Sequence, residues 1–184
     1  MTANRTQTTA TRMAIIDFEA SCLPEDHFSY PIEVALAKVD GPSRTWLIRP
    51  SPRWQYWDWC EDAEALHGIS RERLQCEGLP VAQVLAELTA EVEGCTVYAD
   101  SDLDAYWLET LAVAAGKPVP FPIRYLGELF QQRGLRRQDV LSALDIAREQ
   151  MPIEHIARAD ARRLALALRQ LVSRDSGAMR SAAA

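Results

Sequence analysis

The stretch Ala14-Ile15-Ile16-Asp17-Phe18-Glu19 decides how this chain of 184 residues is read. Two β-branched residues run straight into an acid, an aromatic ring and a second acid, where a buried strand ordinarily ends on turn residues. Period-2 alternation puts Asp17 and Glu19 on one face of the strand. Carboxylates that close resist joint ionisation unless a cation lies between them. Hard divalent cations with oxygen ligands meet that need, so Asp17 and Glu19 are candidate metal ligands.

Met13–Glu19 reads as the first strand, and the residues after it continue a meander. A loop over 20–30 leads to a second strand over 31–40, in which Ile32, Val34 and Leu36 alternate with Glu33, Ala35 and Ala37. Gly41-Pro42 marks a turn into a third strand over 45–49. Helical patterning follows over 61–67, with Gly68 as its stop, over 71–76 behind Ser70, and over 81–92. A fourth, apolar strand is expected at 95–99 and a helix over 102–115. A proline-rich connection, 116–122, precedes helices over 125–133, 138–150 and 160–172. Three meander strands followed by strand–helix alternation make an α/β sheet flanked by helices.

Length suits one domain, placed at 13–172 between a disordered lead-in (1–12) and a disordered small-residue tail (173–184). Twenty basic against 26 acidic residues leave a net charge of -6. That argues against a protein built to grip long duplex nucleic acid, which needs many Lys and Arg contacts to phosphate. It leaves room for an enzyme that handles a few nucleotides at a chain end. Four scattered cysteines form no C-x-x-C pair, so neither a zinc framework nor a disulfide scaffold is indicated. No apolar run reaches membrane-spanning length, and residues 1–12 hold no apolar signal core. A cytoplasmic location is expected.

Two carboxylates do not complete a metal site. The strand-to-helix junction Ala99-Asp100-Ser101-Asp102-Leu103-Asp104 lies where open α/β sheets place their ligands. Asp100 or Ser101 can serve as an N-cap and Asp102 suits the helix dipole. Asp104 sits beside the apolar stripe and is the preferred third ligand, with Asp100 next. His155, just before the last helix, and Asp160, at its start, can point into one cleft, where a neutral imidazole is suited to take a proton.

Taken together, Ile16-Asp17-Phe18-Glu19, Leu103-Asp104 and His155-x-Ala-x-x-Asp160 resemble the DEDDh group of 3′–5′ exonucleases in the ribonuclease H-like superfamily. That group includes RNase T, oligoribonuclease and the proofreading subunits of DNA polymerases. Pro31-Ile32-Glu33-Val34-Ala35 is similar to the family's second strand, and Ala63–Ser70 to its stretch after the third strand. Three spaced motifs in family order are more specific than any one of them.

The resemblance implies a ribonuclease H-like mixed sheet and the release of nucleoside 5′-monophosphates from the 3′ end of single-stranded or short RNA or DNA. It implies Asp17, Glu19, Asp104 and Asp160 as ligands of two Mg²⁺ or Mn²⁺ ions, and His155 as general base. The backbone at Phe18 and Ala20 would line the terminal nucleotide, and His67 would contact substrate or simply close its helix. One departure stands out: many family members carry His-Asn where this chain has Ala99-Asp100, an acid that would repel phosphate. Rival readings are a catalytically silent nucleic-acid-binding module and a phosphohydrolase of small nucleotides. The aromatic run Trp54, Tyr56, Trp57, Trp59 with Arg53 suits stacking on unpaired bases, ordinary packing or a dimer contact. It permits a homodimer without requiring one. Arg133, Arg136, Arg137, Arg158, Arg162 and Arg163 would form either a basic rim or a solvated helix face.

Overall fold

Strand β1 (Arg12–Ala20) pairs antiparallel with β2 (Pro31–Lys38), which pairs antiparallel with β3 (Ser43–Leu47). On its other side β1 runs parallel to β4 (Cys95–Ala99), and β4 parallel to β5 (Ile123–Tyr125). The result is a mixed five-stranded sheet in the order β3-β2-β1-β4-β5, the α/β architecture expected. These elements come from a computed structural model that describes residues 12–25, 28–152 and 155–182, with side chains to 173. The lead-in expected at 1–12 lies outside the described residues except for Arg12, which opens β1.

The central position of β1 follows from its composition. A strand covered on both faces needs a near-continuous apolar run, and Ala14-Ile15-Ile16 is fully buried. Ala14, Ile16 and Phe18 join one core cluster, with Val84, Leu85 and Leu88 of α3 (Val81–Glu91) and Trp107, Leu108 and Leu111 of α4 (Leu103–Ala114). Ile15 belongs to a second cluster on the opposite face, under α7 (Ala157–Ala182) and α5 (Leu126–Gln132). There Ala157, Ala161 and Ala165 of α7 meet Ala35 and Ala37 of β2, small side chains that let the helix lie close to the sheet. The helix α6 (Arg137–Gln150) packs on the outer side of α7 through Ala143 and Ala147 against Ala167 and Leu171. Two short helices, α1 (Glu61–His67) and α2 (Arg71–Glu77), connect β3 to α3. Gly68 ends α1 at φ 68°, a left-handed cap that glycine adopts without strain.

Two elements differ from expectation. β5 is only three residues long and emerges from the proline-rich connection; pairing with β4 makes it a strand, and no local pattern marks it. Helix α7, expected from residue 160, begins a turn earlier at Ala157, because Glu33 accepts a first-turn N–H. The same helix is assigned through Ala182, beyond the boundary expected at 172. Among the described residues, no helix is long and apolar enough to cross a membrane.

Candidate active site at the carboxyl end of the sheet

Strand β1 outruns its parallel neighbour. Pairing with β4 ends at Ile15 opposite Tyr98, so the segment from Asp17 to Ala20 extends past β4. Alternation places Asp17 and Glu19 on the same face as Ile15, under α7. The first turn of α7 carries Asp160 to them. One carboxylate oxygen each from Asp17, Glu19 and Asp160 lies within 4.8 Å of the other two, and all three residues are half-buried.

Asp104 reaches the same end of the strand from the opposite face. It lies in the first turn of α4, is buried, and accepts the backbone N–H of Phe18 at 3.0 Å. Its side chain stands outside the tight trio but its charge is felt there. The Asp17 carboxyl is raised well above the usual range by burial first, then by Asp104, Glu19, Asp100 and Glu33. Burial and then Glu33 push Glu19 up to about 7. Burial and then Asp100 push Asp104 up to about 8, against the lowering effect of the Phe18 N–H. Each shift says that this end of the sheet holds more negative charge than it can solvate.

Asp160 is held from two sides. Its Oδ2 accepts the Ile156 N–H at 3.2 Å, and Arg163, one turn on along α7, forms an ion pair with its other oxygen. His155 directly precedes this segment, exposed and with φ 58°, a left-handed conformation uncommon for a residue with a side chain. A cavity of 510 Å³ is lined by Asp17, Asp100, Tyr125, His155, Asp160 and Arg163, together with apolar residues of α5, α6 and α7. The expected His155 and Asp160 therefore do share one cleft with Asp17.

Two contributors were not singled out from sequence. Glu33 lies opposite Glu19 in the β1–β2 register, is buried, and accepts the Ala157 N–H at 3.2 Å. Burial raises its carboxyl, while Ala157, Arg73 and Arg158 lower it. The signal was an acid inside a strand that is apolar on both faces. Arg163, otherwise one of several helix arginines, is the partner of Asp160. Asp100 is not an N-cap: Ser101 Oγ accepts the Leu103 N–H at 3.1 Å, and Asp100 lines the acidic cavity. Its carboxyl is raised by burial, offset by its own backbone N–H and by the Arg163 charge.

The remaining candidates are placed less directly. Phe18 and Ala20 have buried side chains and do not line the acidic cavity, and the Phe18 N–H is given to Asp104. His67 is buried at the end of α1 and does not line the acidic cavity. Its Nδ1 accepts the Ile69 N–H at 3.0 Å, which leaves the proton on Nε2, an atom with no partner among the described residues. Burial lowers the His67 imidazole below its usual value, against the pull of Glu64.

No family model matches the sequence, and no curated protein matches it. Solved structures do match. The nuclease domain of 3′hExo, a DEDDh family member, bound to rAMP, superposes with a TM-score of 0.65 at 16% identity, over 90% of this chain and 94% of that one. This chain has the DEDDh 3′-exonuclease fold. A 3′-exonuclease in a structure of 3′-end specific recognition of histone mRNA stem-loop shares that fold, with a TM-score of 0.65, 15% identity, and coverage of 89% and 82%. So does E. coli Exonuclease I in complex with a dA16 oligonucleotide, with a TM-score of 0.63 and 11% identity. There the match covers 90% of this chain but only 42% of that longer one. The DEDDh-type fold accounts for the placement: its central strand carries the acids past the end of β4, where helices from both faces can reach them.

Proposed function

We propose that this chain is a metal-dependent 3′–5′ exonuclease that releases nucleoside 5′-monophosphates from the 3′ end of single-stranded or short RNA or DNA. The observation that carries this reading is the meeting of Asp17, Glu19 and Asp160 within 4.8 Å, in a fold shared with 3′-exonucleases. An all-oxygen set of crowded acids with raised carboxyls fits hard divalent cations and little else. Asp17, Glu19, Asp160 and, from α4, Asp104 would hold two Mg²⁺ or Mn²⁺ ions. When bound, such ions supply positive charge at the scissile phosphate and acidify a coordinated water.

The chain's own residues do the rest. His155, exposed in the lining of the cavity, accepts the proton of the attacking water at an imidazole nitrogen. Arg163 and the Ile156 N–H aim Asp160 into the site. The backbone at Phe18 and Ala20 would border the terminal nucleotide, whereas His67, buried with its Nε2 shielded, keeps the role of closing its helix. Chain-end hydrolysis suits a net charge of -6, since only a few phosphates need be held. Asp100, in the acidic cavity, favours a 3′ end that presents few phosphates beyond the scissile one. Residues 13–172 form the catalytic unit, and four free thiols suit a reducing cytoplasm.

The test uses 5′-labelled single-stranded RNA and DNA of one sequence, incubated with Mg²⁺, Mn²⁺ or chelator, with Asp17→Ala as control. The expected result is a metal-dependent ladder shortening from the 3′ end and absent in the variant, whose circular dichroism stays native. A ladder of equal rate in Asp17→Ala would overturn the site.

A further inference from the structure

Building on the exonuclease reading, we propose that an aromatic pocket between β2, the loop after β3 and α2 is a subsite for an unpaired nucleobase upstream of the 3′ end. The pocket measures 390 Å³ and is lined by Tyr30, Ser51, Trp54, Gln55, Trp57 and Arg71, with flanking prolines. Tyr30 and Trp54 stack with centroids 5.3 Å apart and planes at 15°, and Trp57 tilts against Trp54 at 6.2 Å. Phe28 extends the series, 5.9 Å from Trp57.

Core packing explains only part of this cluster. Tyr30 and Trp54 are buried and belong to the main core, whereas Phe28 is 68% exposed and Tyr56 is 88% exposed. Single exposed apolar residues are ordinary, but half-buried Trp57 in the pocket lining, with exposed Phe28 against it, offers stacking faces at the pocket's edge. The lining contains a guanidinium and no acid, in a chain that is acidic overall. The Arg71 guanidinium carbon lies over Trp59, 5.0 Å from its ring centroid, next to the pocket. Aromatic faces with a cation beside them describe a site for single strands, since every base has a π face.

Position links this pocket to the acids. Ser21 directly follows β1, donates its N–H to the Tyr30 carbonyl at 2.9 Å and accepts the Tyr30 N–H on Oγ at 3.2 Å. Its own carbonyl takes the Cys60 N–H at 2.9 Å, tying in the loop that carries the tryptophans. The pocket therefore lies beside the end of the strand that bears Asp17 and Glu19, on the face of the sheet opposite to those two carboxylates. A strand with its 3′ terminus at those acids has this surface available for its preceding bases.

The experiment measures Kd in chelator for a single-stranded dinucleotide, a single-stranded octanucleotide and a duplex of the same length, by anisotropy and by quenching of tryptophan fluorescence. Wild type should favour the single-stranded octamer over the dinucleotide. Trp57→Ala should erase about tenfold of that preference, and so should Phe28→Ala, a surface change that spares the core. Duplex binding should not respond to either variant. An unchanged octamer-to-dinucleotide ratio in both variants overturns the subsite, and so does a wild-type dimer that Phe28→Ala dissociates in sedimentation, which would make this surface a contact between copies. If no polymer is shortened while the variants still lose octamer affinity, the hydrolytic reading falls and the subsite stands. If shortening occurs but the ratio never moves, the subsite alone falls.

Discussion

The Oδ1 of Asp104 accepts the backbone N–H of Phe18 at 3.0 Å, joining the first turn of α4 to the strand that carries Asp17 and Glu19. This bond occupies a backbone donor where β1 has run past the end of β4. It fixes an acid beside the metal-ligand candidates and gives that acid a structural duty separate from any chemistry.

Substitutions at Asp104 should split those two duties. Asp104→Asn keeps an acceptor for the Phe18 N–H and removes a repelling charge, whereas Asp104→Ala leaves a buried donor unpaired. In urea titrations with chelator, the alanine variant should be less stable than the asparagine variant by about 1–3 kcal/mol. Both should lose most nuclease turnover and bind Mn²⁺ more weakly. Equal stability of the two variants would show that the bond contributes nothing.

Stability without metal should fall as pH rises. Glu19 sits at about 7 and Asp104 at about 8, above their ordinary values of 4.5 and 3.8, both chiefly through burial. The folded chain thus retains protons that the unfolded chain has already released. The associated stability is complete below the unfolded values and is lost as pH climbs through the folded ones. In chelator, Tm should be lower at about pH 8.5 than at about pH 5.5, and Mn²⁺ should raise it more at the higher pH. A flat profile in chelator would contradict the crowding of these acids.

His155→Ala should lower kcat by about 10²- to 10⁴-fold while leaving Mn²⁺ affinity near that of wild type. The residue lines the acidic cavity from an exposed segment, so its removal leaves the sheet and its core intact. Turnover in the variant close to that of wild type would remove His155 as the base.

Glu33 should prove a positioning residue. Its Oε2 takes the Ala157 N–H at the start of α7, three residues before Asp160. Glu33→Gln keeps an acceptor there, whereas Glu33→Ala unties the helix start. The alanine variant should bind Mn²⁺ more weakly than the glutamine variant and be less stable by about 1–3 kcal/mol, as read by calorimetry and urea unfolding. Indistinguishable variants would mean that packing of Ala157 and Ala161 alone seats the helix.

The sequence by itself determined the first strand, the face shared by Asp17 and Glu19, and the limits of α1, because these depend on periods of two and 3.6 and on a left-handed glycine at 68. Its three spaced motifs also pointed to the fold that the solved structures confirm. Local spacing could not say which acids meet. Asp160 joins Asp17 and Glu19 because α7 crosses the sheet over the alanines of β2, and Asp104 stays outside that trio because it arrives from the opposite layer. Glu33 faces Glu19 only through the β1–β2 register, and β5 exists only as a partner of β4. Those relationships join residues far apart in the chain, and strand order and helix packing set them. The charge concentrated at the site arises the same way, from acids that are ordinary in sequence and become crowded only when the fold buries them together.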